Sequence, residues 1–176
     1  NLVFPIVAKP DKGERGFLVE KVADAKALAA YMHACTVDFV IQEFIDYPEE
    51  FTVLHYKFPN ATQGTVSSCT QKEFLEVIGD GISSIQTLME RKPRALLQLA
   101  RLRKTHGSYL QHIPAKNEKV LLEPIGNHGR GTIFRNRADL IDAELTHTFD
   151  RINAQLSGIN FCRYDMKCKS IADLKA

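Results

Sequence analysis

The sequence has no Cys-x-x-Cys pair and no histidine at zinc-finger spacing. Its four cysteines, Cys35, Cys69, Cys162 and Cys168, therefore indicate neither a metal knuckle nor a disulfide framework. A reducing cytoplasm is the simplest setting to expect. No run of about 18 or more apolar residues is present to cross a bilayer, and no signal peptide opens the chain, so a soluble protein without a membrane partner is expected. Charge of one sign is not in excess: 23 Lys and Arg stand against 21 Asp and Glu, too even for the strong positive field of a nucleic-acid binder. The six histidines make no metal spacing, and Gly-x-Ser-x-Gly is absent. The Walker phosphate loop and the dinucleotide fingerprint are missing too. There is no internal repeat and no low-complexity segment.

What remains is a chain of 176 residues, 44% hydrophobic, enough for one core or for two small lobes sharing a cleft. Leu2 to Lys9 and Phe17 to Val22 read as strands around a glycine-bearing loop. Ala23 to Ala34 reads as a helix with Ala25, Leu28, Ala29 and Met32 on its apolar face. Asp38 to Phe44 and Phe51 to Phe58 follow as strands. Ala61 to Cys69 reads as a further strand, Gly79-Asp80-Gly81 as a turn, and Ser83 to Met89 as a helix with a Ser83/Gln86 capping box. A helix follows Pro93, then a strand over Lys119 to Glu123 and a glycine-rich loop over Gly126 to Thr132. Asp139 to Leu156 carries Ile141, Leu145, Phe149, Ile152 and Leu156 at helical spacing. Ile159 to Cys168 reads as the last strand, and Ser170 to Ala176 as a turn awaiting another. Both ends look cut, which suggests a piece of a larger enzyme.

Three stretches could carry chemistry. Lys9 stands where a strand enters the loop Asp11 to Gly16, which could fold its backbone N-H groups over phosphate oxygens; a charged hairpin tip explains the same residues. In Val40 to Ile45, followed by Glu50-Phe51-Thr52-Val53, a strand end could offer adenine an apolar slot and backbone partners while Glu50 takes ribose hydroxyls; taken alone, two strands joined at Tyr47-Pro48 with solvated acids are the simpler reading. In Arg163-Tyr164-Asp165, alternation sends the arginine and the aspartate to one face, either as an internal ion pair or as a Mg2+-binding carboxylate beside an oxyanion-stabilising cation. Arg91 to Lys104 is basic but lacks interleaved aromatics, so it reads as a solvated helix face rather than a nucleic-acid site.

The order of these stretches resembles the ATP-grasp superfamily, in particular the branch similar to D-alanine–D-alanine ligase. Pro5 to Pro10 with Gly13 and Gly16 is similar to that family's strand lysine and mobile loop. Gln42, Glu43, Phe44 and Ile45 resemble its adenine hinge, and Glu50 its ribose acid. Lys72, in Thr70-Gln71-Lys72, falls where the family places a second phosphate-directed lysine, and Arg163 and Asp165 match its Arg-x-Asp strand.

The resemblance implies an α+β, ATP-grasp-like fold of two lobes with mainly antiparallel sheets and flanking helices, 1–58 and 59–176, holding ATP between them. It implies that Lys9, Lys12, Gly13 and Gly16 serve the phosphates, that Asp165 binds Mg2+, and that Arg163 and Lys72 are catalytic. The reaction would be ligation of a small-molecule carboxylate to an amine through an acyl phosphate. Phosphoryl transfer to a hydroxyl and nucleotide binding without turnover are the alternatives, and a homodimer is left open. The family's Glu-x-Asn metal strand does not occur in the sequence, so this stretch is not expected to catalyse by itself.

Overall fold

A computed structural model describes residues 3–13 and 16–176. It is an α+β protein built from three antiparallel sheets with flanking helices. Leu2, Glu14 and Arg15, which belong to the expected first strand and loop, lie outside the described residues.

The first sheet joins β1 (Ile6–Pro10), β2 (Glu20–Val22) and β3 (Phe39–Glu43) in the order β2-β1-β3. Alternation along β1 buries Ile6 and Ala8 against helix α1 (Ala25–Ala34) and turns Val7 and Lys9 to the other side. The Asp24 carboxylate caps α1 by accepting from Ala27 N. The buried face of α1 differs from the one expected. Tyr31 is buried, with Ala27 and Leu28 packed alongside, whereas Met32 is 56% exposed. Tyr31 wins this place because its ring meets Phe39 edge-on and its hydroxyl finds the Leu18 carbonyl at 2.9 Å, so burial leaves no polar group unpaired.

The second sheet has the order β8-β5-β4-β9, from β4 (Glu49–Tyr56), β5 (Thr65–Glu73), β8 (Ile133–Asn136) and β9 (Phe161–Cys168). Strand β4, grouped by its sequence position with the first lobe, hydrogen-bonds instead between β5 and β9 in this sheet. One face is apolar. Phe51, Val53 and Cys69 pack on Leu145 and Phe149 of helix α5 (Ala143–Asn153). Helix α5 is shorter than expected, preceded by a single turn over Ala138–Leu140 and ended by Asn153, whose side chain donates to the Ile159 carbonyl and accepts from the Tyr164 hydroxyl. Ser170 to Ala176 is not a turn before a strand. Ser170 caps a short helix, α6 (Ile171–Lys175), which seats Leu174 in this core.

The third layer is a two-stranded antiparallel ribbon of β6 (Leu75–Ile78) and β7 (Lys119–Glu123) under the helices that connect them, α2 (Ile85–Glu90), α3 (Pro93–Leu96) and α4 (Leu99–His106). The cap of α2 falls one residue later than expected. Ser83 gives its hydroxyl and its N-H to Asp80 in the preceding turn, which leaves Ser84 to accept from Thr87 N. The stretch after Pro93 breaks into two helices rather than one. Its cations are mostly spoken for: Arg91 pairs with Asp80, Arg101 with Glu123 and Arg103 with Glu90, while Lys92 and Arg94 donate to backbone carbonyls. Among the described residues, no helix is long and apolar enough to cross a membrane.

Candidate nucleotide cleft

The polar face of the second sheet is assembled by alternation on three strands. Phe51 and Val53 point inward on β4, so Glu50 and Thr52 point outward; the same phase places Lys72 of β5 and Arg163, Asp165 and Lys167 of β9 on that outer face, with Lys72 covered there by its neighbours. Register then brings them together, because Thr52 stands opposite Asp165 and Glu50 opposite Lys167. Lys72 Nζ lies 2.6 Å from Glu50 Oε1 and 3.4 Å from Asp165 Oδ1. The Thr52 hydroxyl donates to Asp165 Oδ1 at 2.5 Å, and Arg163 holds the other oxygen at 3.1 Å. Partial burial raises the Asp165 pKa, but the Thr52 hydrogen bond and the charges of Lys72 and Arg163 outweigh it, so the carboxyl sits below the usual carboxylate range. Asp165 is therefore an anion at neutral pH.

This face meets the outer side of the first sheet across a cleft of about 380 Å³. Val7 and Lys9 of β1, Gln42 and Glu43 of β3, then Phe44, Ile45, Glu50 and Asp165 line it, although they are spread over most of the chain. The structure thus brings together seven of the ten residues singled out from the sequence for binding or metal. Lys12 and Gly13 are exposed and do not line the cleft, and Gly16 lies beside Arg130. Of the two residues marked as catalytic, Lys72 touches Glu50 and Asp165 on the sheet. Arg163 is 67% exposed along its side chain and lies outside the cleft lining, paired with Asp165.

Several lining residues escaped the sequence reading. Lys21 of β2 reaches over the Phe44 ring, its Nζ 3.8 Å from the centroid, and Lys167 approaches the same ring at 5.7 Å. The clue for Lys21 was its place opposite Val7 in a short hairpin, visible only once β1 and β2 are paired. Pro124, Ile125 and Gly126 close another wall. Gly126 is there because nothing larger fits. A Cβ at this position would lie 2.9 Å from both carboxylate oxygens of Glu50. Gly126→Ala is accordingly expected to push Glu50 off Lys72, an ion pair with both side chains largely buried, and to lower stability by about 1 to 3 kcal/mol in urea unfolding.

The donor set suits magnesium only in part. Among the described residues there is no group of three or more His, Cys, Asp or Glu able to hold a metal ion. Mg2+ is commonly bound through one or two carboxylates, with substrate phosphates and waters completing its shell. Asp165, ionised and reachable from the cleft, fits that role beside a nucleotide's phosphates.

No family model matches this chain, and no curated protein matches it. Among solved structures it is similar to a bifunctional glutathione synthetase from Pasteurella multocida, with 16% identity, a TM-score of 0.44, and coverage of 95% of this chain but 24% of that one. The chain spans about a quarter of that protein's length. At that TM-score the likeness adds no weight to any residue's role, and the cleft stands on its own geometry.

Proposed function

We propose that the chain is the ATP-binding, Mg2+-dependent core of an ATP-grasp carboxylate-amine ligase, with the boundary between its two lobes falling just before β4 and not after residue 58, since β4 pairs within the second sheet. The observation that carries this is the convergence of Lys9, Gln42 to Ile45, Glu50 and Asp165 on one cleft, in the order in which the ATP-grasp resemblance assigns them roles. Adenine would lie along Gln42 to Ile45, with Phe44 and Val7 giving it apolar contact, and Glu50 would accept from the ribose hydroxyls. Lys9 and Lys72 would neutralise phosphate oxygens, with the Lys12 to Gly16 loop over them. Bound Mg2+ would add charge neutralisation at the phosphates beside Asp165.

In the reaction, a substrate carboxylate oxygen attacks the γ-phosphorus, the bond to the bridging oxygen breaks, and ADP leaves. An amine then attacks the acyl carbon of the acyl phosphate, phosphate departs, and the amine proton goes to solvent. Arg163 would turn from Asp165 towards the developing negative charge in both steps. An adjoining cleft of about 500 Å³, sharing Val19 to Lys21 and Pro124 with the first, offers room for the carboxylate and amine substrates. A reducing cytoplasm would keep its four cysteines, which are free thiols, in that form.

Mg-ATP at about 100 times its Kd is expected to stabilise the protein by about 2.7 kcal/mol, raising the thermal midpoint by several degrees. Lys9→Ala should remove most of that rise while leaving the nucleotide-free midpoint in place. Absence of any nucleotide effect on the unmutated protein would refute the reading. Nucleotide binding without turnover is the second reading, favoured by the position of Arg163 outside the cleft. ADP and phosphate released only when both an acid and an amine are present would decide for ligation, against both this reading and transfer to a hydroxyl.

A further inference from the structure

The second cavity, of about 500 Å³, is walled by residues of β7, helix α4 and the edge strand β2. Much of its lining is apolar. Leu121 and Tyr109 are large side chains left half exposed there, a place where an apolar ligand gains by covering them. Its charges do not balance. Lys21, Arg101 and Arg130 line it against Glu20 and Glu123. Glu20 is exposed to solvent, so the enclosed anion is Glu123, only 4% exposed along its side chain.

Glu123 faces two guanidinium groups. Arg130 Nη1 lies 3.5 Å from Oε1, and its Nη2 donates to the Gly16 carbonyl at 2.6 Å, so that side chain is held through both arms. The same Oε1 accepts from Ile125 N at 3.1 Å. Arg101 is held less completely. Its Nη2 lies 2.8 Å from Glu123 Oε2, but no N-H is aligned on that oxygen, and this buried nitrogen has no hydrogen-bond partner among the described residues. Its Nε donates to Gln98 Oε1 at 3.2 Å. One carboxylate thus answers two cations and a backbone N-H, while Arg101, a fork of five N-H donors that is 39% exposed along its side chain, keeps donors to spare. Enclosing a cation without a matching anion costs free energy, and a second carboxylate on the Arg101 fork would recover it.

We propose that this cavity binds an organic acid, its carboxylate against Arg101 beside Glu123 and its apolar body on Leu121 and Tyr109. Two carboxylates then answer two guanidinium groups. The step to function rests on the ligase reading above: the substrate lodged here carries a carboxylate that the reaction does not consume, because that group is tied up on Arg101. Binding of the acid as such does not rest on that reading.

The probe is phenylacetate, with phenylacetamide as its uncharged counterpart, titrated into the whole chain without nucleotide and followed by NMR. The acid is expected to bind at least about tenfold more tightly than the amide. Arg101→Met keeps the apolar stem and removes the charge, so it should weaken the acid about tenfold and leave the amide unchanged, with Arg101→Lys between. Saturating Mg-ATP should not displace the acid. Absence of acid binding, or equal binding of acid and amide by the unmutated protein, overturns the inference whether or not the variants fold. An acid affinity that ignores Arg101→Met overturns it too, as does displacement by Mg-ATP, which puts the acid in the nucleotide cleft. If the acid binds through Arg101 but Mg-ATP does not bind at all, the ligase reading falls with the substrate step, and the acid site stands. If Mg-ATP binds and the acid does not, the acid site alone falls.

Discussion

Gly64→Ala is expected to destabilise the protein by about 3 to 5 kcal/mol, lowering the thermal midpoint by about 10 °C, because the added methyl has nowhere to go. Its Cβ would stand 2.2 Å from His55 Nε2 and 2.5 Å from Asp150 Oδ1. His55 is fully buried on the inner face of β4, and Asp150 comes from α5. Asp150 Oδ1 accepts from Gly64 N and meets His55 Nε2, both at 2.9 Å. The methyl must displace one or both of these groups. Displacing the carboxylate leaves His55 with neither ring nitrogen bonded, since Nδ1 already has no partner. Overpacking costs about 1 to 3 kcal/mol, and an unpaired buried polar group about as much again. Asp150→Asn, which keeps an acceptor oxygen and the shape, is the control and should cost less than half as much. A loss under about 1 kcal/mol for Gly64→Ala would mean that β5 can swing away from α5 at its start, and the account of this corner would be wrong.

Phe149→Ala should cost a similar 3 to 5 kcal/mol, roughly, by a different route. Phe149 is fully buried where α5 crosses the second sheet, with the Tyr164 ring 5.2 Å away and tilted by 56°. Truncation leaves a void bounded by Phe51, Val53 and Leu145 on elements too well tied to collapse into it. Urea unfolding should show a lower midpoint with an unchanged slope, and Phe149→Leu should recover more than half of the loss. Because β4 and β9 carry Glu50 and Asp165 on their other face, Phe149→Ala should also loosen the nucleotide binding proposed for this cleft, at temperatures well below the midpoint.

Much of this arrangement was legible in the sequence because strand alternation is local. Tyr164 inward and Arg163 with Asp165 outward follow from a period of two, as do the inner and outer residues of β4. The helical spacing of Leu145 and Phe149 likewise marked the buried stripe of α5, although Ile152 and Leu156, at the helix end and beyond it, stay partly exposed. The misreadings come from partners distant in sequence. Tyr31 displaced Met32 from the core because Leu18 and Phe39 awaited it, and β6 and β8, four residues each, are too short to show a period before β7 and β5 pair with them. Lys21, Gly126 and Arg130 were missed for the same reason: each matters only through contacts with Phe44, Glu50 and Gly16 in other parts of the chain.

Strand β9 places two incompatible demands on eight consecutive residues. Its odd positions, Arg163, Asp165 and Lys167, are charged and face outward, while Tyr164 and Cys168 support the core, where burial pushes the Cys168 thiol up to about 11. Inserting or deleting one residue at its start would exchange the two sets, driving three charges into the packing beneath α5 and exposing the apolar face to water. Variation by length in this segment is therefore closed to the protein in any lineage that keeps the cleft, whereas single substitutions on the outward face can retune its electrostatics at small cost to folding. The strand can change its chemistry one side chain at a time, but it cannot change its phase.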